Sequence, residues 1–178
     1  IGGYAFGDCL NLKQVKLPKK LKYIQFYLFV NCKRLMKVDI GDSVKQIAFY
    51  AFSGCSSLTS INLPDSLTEI MQGAFEGCSS LCEVVIPSSV ERIYDSAFEG
   101  CSSLESIIIP DKISVIDAST FENCTSLKNI ELPVGLKEIG IAAFANCESI
   151  NEFFIPTNVS QIGADAFKNC INLTKISI

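Results

Sequence analysis

A phenylalanine recurs every 23 residues along this 178-residue chain, and a cysteine follows three residues after each one. The eight pairs run from Phe6 and Cys9 to Phe167 and Cys170, and no insertion or deletion shifts their register. A fixed period of this length is typical of a solenoid, in which each repeat forms one coil stacked on the next. Because stacking aligns equivalent positions, we expect the Phe and Cys side chains to form columns inside one apolar core.

Each repeat contains the pattern of two short strands. Counted from Ile1, the consensus is I-x-x-x-A-F-x-x-C-x-x-L-x-x-I-x-L-P-x-x-L-x-x. Apolar and polar residues alternate at positions 15 to 17, which predicts a strand with one buried face. Proline at position 18 ends this strand, because it lacks the N–H that a ladder needs. Apolar residues at positions 21 and 1 predict a second, shorter extended segment on the opposite side of the coil.

The Ala-Phe-x-x-Cys segment predicts a single helical turn. Its apolar residues have helical spacing, and position 8 is Gly or Asn in seven of the eight repeats. Both residues tolerate the left-handed conformation at a helix C-terminus. The predicted fold class is therefore α/β, with eight 23-residue coils in one domain over residues 1–178. The chain starts and stops inside a repeat, so we expect it to be part of a longer protein.

The nine cysteines predict neither a metal site nor a disulfide framework. The only close pair is Cys78 and Cys82, and no histidine is present to complete a zinc site. Parallel side chains on stacked coils also have the wrong mutual orientation for disulfides. We expect eight reduced thiols in the core, since free Cys packs as a small hydrophobe. Cys82 is out of register and is expected to be partly exposed.

The pattern A-F-x-x-C-x-x-L-x-x-I-x-L, repeated along the whole chain, resembles the leucine-rich repeats of the BspA-like, or Treponema pallidum, class. The resemblance implies a right-handed solenoid with a parallel sheet on its concave side. It also implies a cell-surface or secreted protein of bacteria or parasitic protists, often an adhesin for host matrix proteins or other cells. The usual asparagine of leucine-rich repeats would fall at position 20, where it occurs here in one repeat only. The turn hydrogen bonds must therefore be made differently.

Variable positions on the strand are the predicted ligand-binding positions. Positions 13, 14 and 16 are expected to point toward solvent on the concave side. They carry mostly basic side chains in the first repeats and apolar ones at position 16 further along. With Arg34, which lies just before a strand, the candidate ligand-binding residues are Lys13, Lys16, Arg34, Lys37, Val85, Ile108 and Phe154.

Charge is segregated along the chain. Residues 1–45 hold nine of the fifteen Lys and Arg residues and three acids, a net charge of +6, whereas the remainder carries −10. This run is either an ordinary solvated face or a surface that steers an acidic protein or an anionic glycan. Nucleic acid is not an expected partner, because the chain as a whole is acidic. The basic first coils and acidic last coils would also favour end-to-end self-association.

Aromatic residues cluster at positions 3 and 4 of the first three repeats. The cluster consists of Tyr4, Phe26, Tyr27, Phe49 and Tyr50. Later repeats place mainly small or polar residues at these positions. The rings either pack together over the first coils or form a contact surface for a preceding domain or a second chain, since exposed aromatic patches mark interfaces.

The function predicted from these features is that of a non-catalytic module that binds protein or glycan through its concave face. The alternative is a structural spacer that presents another domain. No catalytic residue, cofactor or metal is predicted, because the chain has no histidine and no P-loop, dinucleotide-binding or nucleophile-elbow motif. No apolar stretch is long enough to insert into a membrane.

Overall fold

The structure is a computed structural model that describes all residues from 1 to 178. It contains fifteen short strands, numbered in chain order, and no helix. The odd-numbered strands follow the predicted first segment of each repeat: β1 Gln14–Lys16, β3 Lys37–Asp39, β5 Ser60–Ile61, β7 Glu83–Val84, β9 Ser106–Ile108, β11 Asn129–Glu131, β13 Glu152–Phe154 and β15 Lys175–Ser177. The even-numbered strands follow the predicted second segment: β2 Tyr23–Ile24, β4 Gln46–Ile47, β6 Glu69–Ile70, β8 Arg92–Ile93, β10 Val115–Ile116, β12 Glu138–Ile139 and β14 Gln161–Ile162.

Neighbouring coils pair their strands in parallel, with partners 23 residues apart. The even-numbered strands form two ladders, β2-β4-β6-β8 and β10-β12-β14, and the odd-numbered strands pair as β1-β3, β5-β7, β9-β11 and β13-β15. At the junction between the fourth and fifth coils, and only there, neither the odd-numbered strands β7 and β9 nor the even-numbered strands β8 and β10 pair. Ion pairs lie close to this junction: Lys112 reaches Glu91 at 2.8 Å, and Arg92 reaches Asp117 at 3.4 Å.

One cluster of 46 buried apolar residues fills the interior of all the coils. The phenylalanine rings stack along its length, with centroids 5.3 to 5.7 Å apart from Phe6 to Phe167. The six rings from Phe29 to Phe144 are fully buried. The predicted phenylalanine column is confirmed.

The cysteine column is confirmed for seven of the eight predicted thiols and is wrong for Cys9, which is exposed. Its hydrogen bonding explains how the coils are joined at this position. All nine cysteines are free, and those at position 9 are buried in every coil except the first. Each buried thiol donates to the carbonyl oxygen of the phenylalanine one coil earlier, as Cys78 Sγ does to Phe52 O at 3.2 Å. Seven such bonds, from Cys32 to Cys170, span 3.0 to 3.3 Å.

The predicted helical turn is wrong, because alternate amides in this segment bond to the next coil. Phe29 N–H donates to Ala51 O of the following coil at 2.8 Å, whereas Cys32 N–H donates back to Phe29 O at 3.0 Å. Tyr27 and Asn31 have φ of 54° and 56°. A positive φ at the third residue of a four-residue turn is typical of type II turns. The segment is therefore a series of tight turns, and a helix, whose amides all bond within it, cannot form.

The predicted fold class and coil number are corrected accordingly. The fold is not α/β but a parallel β-solenoid, since every regular element is a strand. It makes about seven turns rather than eight coils, because residues 162–178 run from β14 to β15 without completing a coil. No segment forms a helix of the length and apolarity that crossing a bilayer would require.

Candidate ligand-binding face

The strand face is the surface formed by positions 13, 14 and 16 of all the coils. Residues on either side of a buried strand residue point outward, because side chains alternate along a strand. In β9, Ile107 is buried, whereas Ser106 and Ile108 are exposed. All residues at positions 13 and 14 are exposed, and at position 16 only Ser177 is half-buried. All seven candidate ligand-binding residues are thus accessible, although their role in binding stays a prediction.

The four basic candidates lie together on the first two coils. Gln14 of β1 pairs with Lys37 of β3, so that the first two coils present Lys13, Lys16 and Lys37 side by side. Lys16 Nζ lies 3.5 Å from the carboxylate of Asp39. Lys13 and Lys37 form no ion pair, and Arg34 donates instead to the neutral amide oxygen of Asn11 at 3.0 Å.

The three apolar candidates do not form one continuous strip. Val85 and Ile108 occupy the same position in the fourth and fifth coils, where they are 72% and 62% exposed. They flank the junction that lacks strand pairing. Phe154 is 63% exposed but lies two coils beyond Ile108, with the exposed Glu131 between them. The strand face therefore carries a basic group, an apolar pair and a separate phenylalanine.

Two cavities on the third coil lie between the basic group and the apolar pair. One cavity of about 360 Å³ is lined by Lys37, Asp39 and Asn62, and a second of about 420 Å³ by Asn62, Glu83 and Val85, among others. Asn62 was not among the residues predicted from the sequence. The available signal was the run of short polar residues Thr59, Ser60 and Asn62 on this coil.

The aromatic cluster lies on the turns, away from the strand face. Tyr27 and Tyr50 stack with centroids 5.2 Å apart, and Phe26 meets Tyr27 edge-on. The ring of Tyr50 occupies the space beside Gly73, where an added Cβ atom would clash with it. Tyr27 thus contacts the rings of Tyr4, Phe26 and Tyr50, whereas most of the cluster stays exposed. Their use as an interface remains a prediction.

Hydrogen bonding fixes the first ring of this cluster. The hydroxyl of Tyr4 donates to the carboxylate of Asp8, and the amide of Asn31 donates to the same group at 3.0 Å. These two bonds stabilise the ionised carboxylate and so lower the pKa of Asp8. The acid therefore holds the ring in place.

The repeat geometry agrees with a known family. The model of the BspA type leucine rich repeat region matches residues 1–105 and 91–178. The chain belongs to the BspA-type leucine-rich repeat family. No curated protein matches this BspA-type chain.

Three solved structures resemble this BspA-type chain. A leucine-rich repeat protein of T. pallidum is 32% identical with a TM-score of 0.80, over 84% of this chain and 70% of its own. A leucine-rich repeat protein of Bacteroides ovatus is 30% identical with a TM-score of 0.70, over 99% of this chain and 57% of its own. A leucine-rich cell surface protein of Faecalibacterium prausnitzii is 26% identical with a TM-score of 0.67, over 99% and 62%. The chain thus spans about three fifths of the last two, and none of these descriptions names a catalytic activity.

Proposed function

We propose that this chain is a non-catalytic protein-binding module that acts in adhesion or host contact through its strand face. One observation carries the proposal: Val85 and Ile108 expose most of their side chains side by side. The same position is polar in five of the eight repeats, so exposure of apolar groups there has no role in the fold. Exposed apolar groups rimmed by polar residues are typical of protein interaction sites.

The surroundings of the apolar pair support the same proposal. The buried positions of each coil already fill the core, so residues at positions 13, 14 and 16 are free to vary without loss of packing. The stacked coils hold the backbone of these residues in place, which lowers the entropic cost of binding. A location at the cell surface or outside the cell is proposed with this function, and the description of the Faecalibacterium prausnitzii relative as a cell surface protein supports it.

A double substitution of the apolar pair tests the proposal. The variant Val85→Ser with Ile108→Ser should bind at least about tenfold more weakly to the matrix protein recognised by the unsubstituted chain, because two apolar contacts are lost. Binding would be measured by surface plasmon resonance on a panel of immobilised collagen, laminin and fibronectin. The matched control is Val134→Ser with Ile141→Ser, which removes side chains that are 74% and 59% exposed but lie off the strand face.

Both double variants should keep the melting temperature of the parent within a few degrees, because neither changes the core. Equal loss of binding in the two variants would indicate nonspecific hydrophobic binding by exposed apolar groups and would count against the proposal. No binding to any panel member, or binding unaffected by loss of Val85 and Ile108, would count against the proposal and favour a spacer.

A further inference from the structure

A continuous group of basic side chains follows the chain around the first two coils. We call this group the basic belt. Its members are Lys33 and Arg34 in the loop before β3, Lys13, Lys16 and Lys37 on the strand face, Lys19 and Lys20 in the turn after β1, and Lys22 and Lys45 before β2 and β4. All nine are exposed. The belt also contains two acids, Asp39 and Asp42.

The belt differs from the rest of the molecule in how its charges are paired. Of its nine bases, only Lys16 lies within 4.0 Å of a carboxylate. Of the six bases elsewhere, five form ion pairs: Arg92, Lys112, Lys128, Lys168 and Lys175. Crowded like charges repel one another and destabilise the folded chain. Ion pairs within the chain therefore neutralise most bases of the later coils, whereas most bases of the belt have no such partner.

The shape of the belt indicates a linear partner. Lys13 and Lys16 point from the strand face, whereas Lys19, Lys20 and Lys22 lie in the turn and in the approach to the second ladder. Successive coils keep these positions adjacent, since Lys45 N–H donates to Lys22 O at 2.8 Å. The path from position 13 to position 22 measures at most about 30 Å and turns the edge of the solenoid. A flat protein surface contacts one side of that edge, whereas a flexible chain can follow both.

The chemistry around the belt favours a polysaccharide among linear polyanions. Single-stranded nucleic acid binds on successive exposed aromatic side chains, and no aromatic residue lies between Lys13 and Lys22 or between Lys33 and Lys45. The belt runs across the solenoid axis, so a ligand bound along it avoids the acidic later coils. Sulfate and carboxylate groups along a polysaccharide would supply the missing partners of the belt lysines.

We propose that the basic belt binds an acidic polysaccharide that crosses from the strand face over the turn edge of the first two coils. The inference deepens the proposed function, because three belt lysines lie on the strand face. The four lysines of the turn edge, Lys19, Lys20, Lys22 and Lys45, lie outside the strand face and belong to this inference alone.

Titration of the whole chain with a heparin oligosaccharide tests the inference. Replacing the four turn-edge lysines by glutamine should weaken binding about tenfold or more, because four exposed charge contacts are removed. The matched control replaces Lys112, Lys128, Lys168 and Lys175 by glutamine, which changes the net charge by the same amount. It should change the affinity by no more than about twofold. Added salt should weaken binding to the unsubstituted chain, because it screens exposed charges.

The following outcomes would overturn the inference. Absence of heparin binding, or equal loss in the two quadruple variants, would show that the belt is not a specific site. Light scattering at low salt that reveals a dimer abolished by the turn-edge substitutions, together with no heparin binding, would show that the occupant is a second copy of this chain. The Val85→Ser, Ile108→Ser variant should bind heparin normally, so the proposed function and this inference fail separately.

Discussion

At the scale of single residues, the cysteine at position 9 combines packing with hydrogen bonding. Its spacing and the lack of histidine were enough to predict a buried, reduced thiol. The bond to the phenylalanine carbonyl of the preceding coil was not predictable, because it depends on the offset between coils. Burial raises the pKa of Cys78 and of Cys124 to about 12. The thiols therefore stay protonated in the folded chain at a pH where unfolded thiols ionise.

This difference predicts a loss of stability in alkaline solution. An unfolded thiol loses its proton near pH 9, whereas a buried one keeps it, so the folded state binds more protons above that pH and stability falls as pH rises. Each fully buried thiol contributes at most about 1.4 kcal/mol per pH unit. The free energy of unfolding, measured by urea denaturation, should decline above about pH 9, and more gently in the Cys78→Ala, Cys101→Ala variant. Identical slopes in the two proteins would contradict this account.

At the scale of elements, the two strands of each coil were predictable and the helical turn was not. Strand alternation and proline at position 18 are local signals, and the strands follow them. The series of turns depends on backbone hydrogen bonds to the next coil, and the sequence of a single repeat does not indicate those bonds. Gly or Asn at position 8 did indicate a left-handed residue, and Gly77 has φ of 67°. At position 4 the same conformation occurs at Tyr27, Ser96 and Ala142, residue types that give no such signal.

The conformation at position 8 gives a prediction about the turn. Gly77→Asn should change the free energy of unfolding by less than about 0.5 kcal/mol, because asparagine already takes this conformation at Asn123 and Asn146. Gly77→Val should cost about 1 to 3 kcal/mol, because a β-branched residue is strained at positive φ. Space is not the cause, since a Cβ atom here would have no neighbour closer than 3.7 Å. Equal stability of the two variants in urea denaturation would show that the turn does not require this backbone.

At the scale of the whole molecule, the repeat period alone predicted a solenoid with one continuous core. The candidate face was predictable only as a set of exposed positions. The repeat register already placed Glu131 between Ile108 and Phe154, and the pairing of Glu131 with Ile108 agrees with it. The cavities at Asn62, the unpaired junction between the fourth and fifth coils and the lack of ion pairs for most belt lysines all depend on contacts between coils. The consensus sequence of a single repeat therefore cannot predict these features.

The account holds that buried positions of each coil maintain the fold while exposed ones are free to bind. Adjacent isoleucines of β9 test this most directly, since Ile107 is 2% exposed and Ile108 is 62% exposed. The measurement is the free energy of unfolding of Ile107→Ala and Ile108→Ala by urea denaturation. Ile107→Ala should cost about 2 to 5 kcal/mol through the cavity it leaves, and Ile108→Ala less than about 0.5 kcal/mol. Equal losses, or a larger loss for Ile108→Ala, would contradict the account.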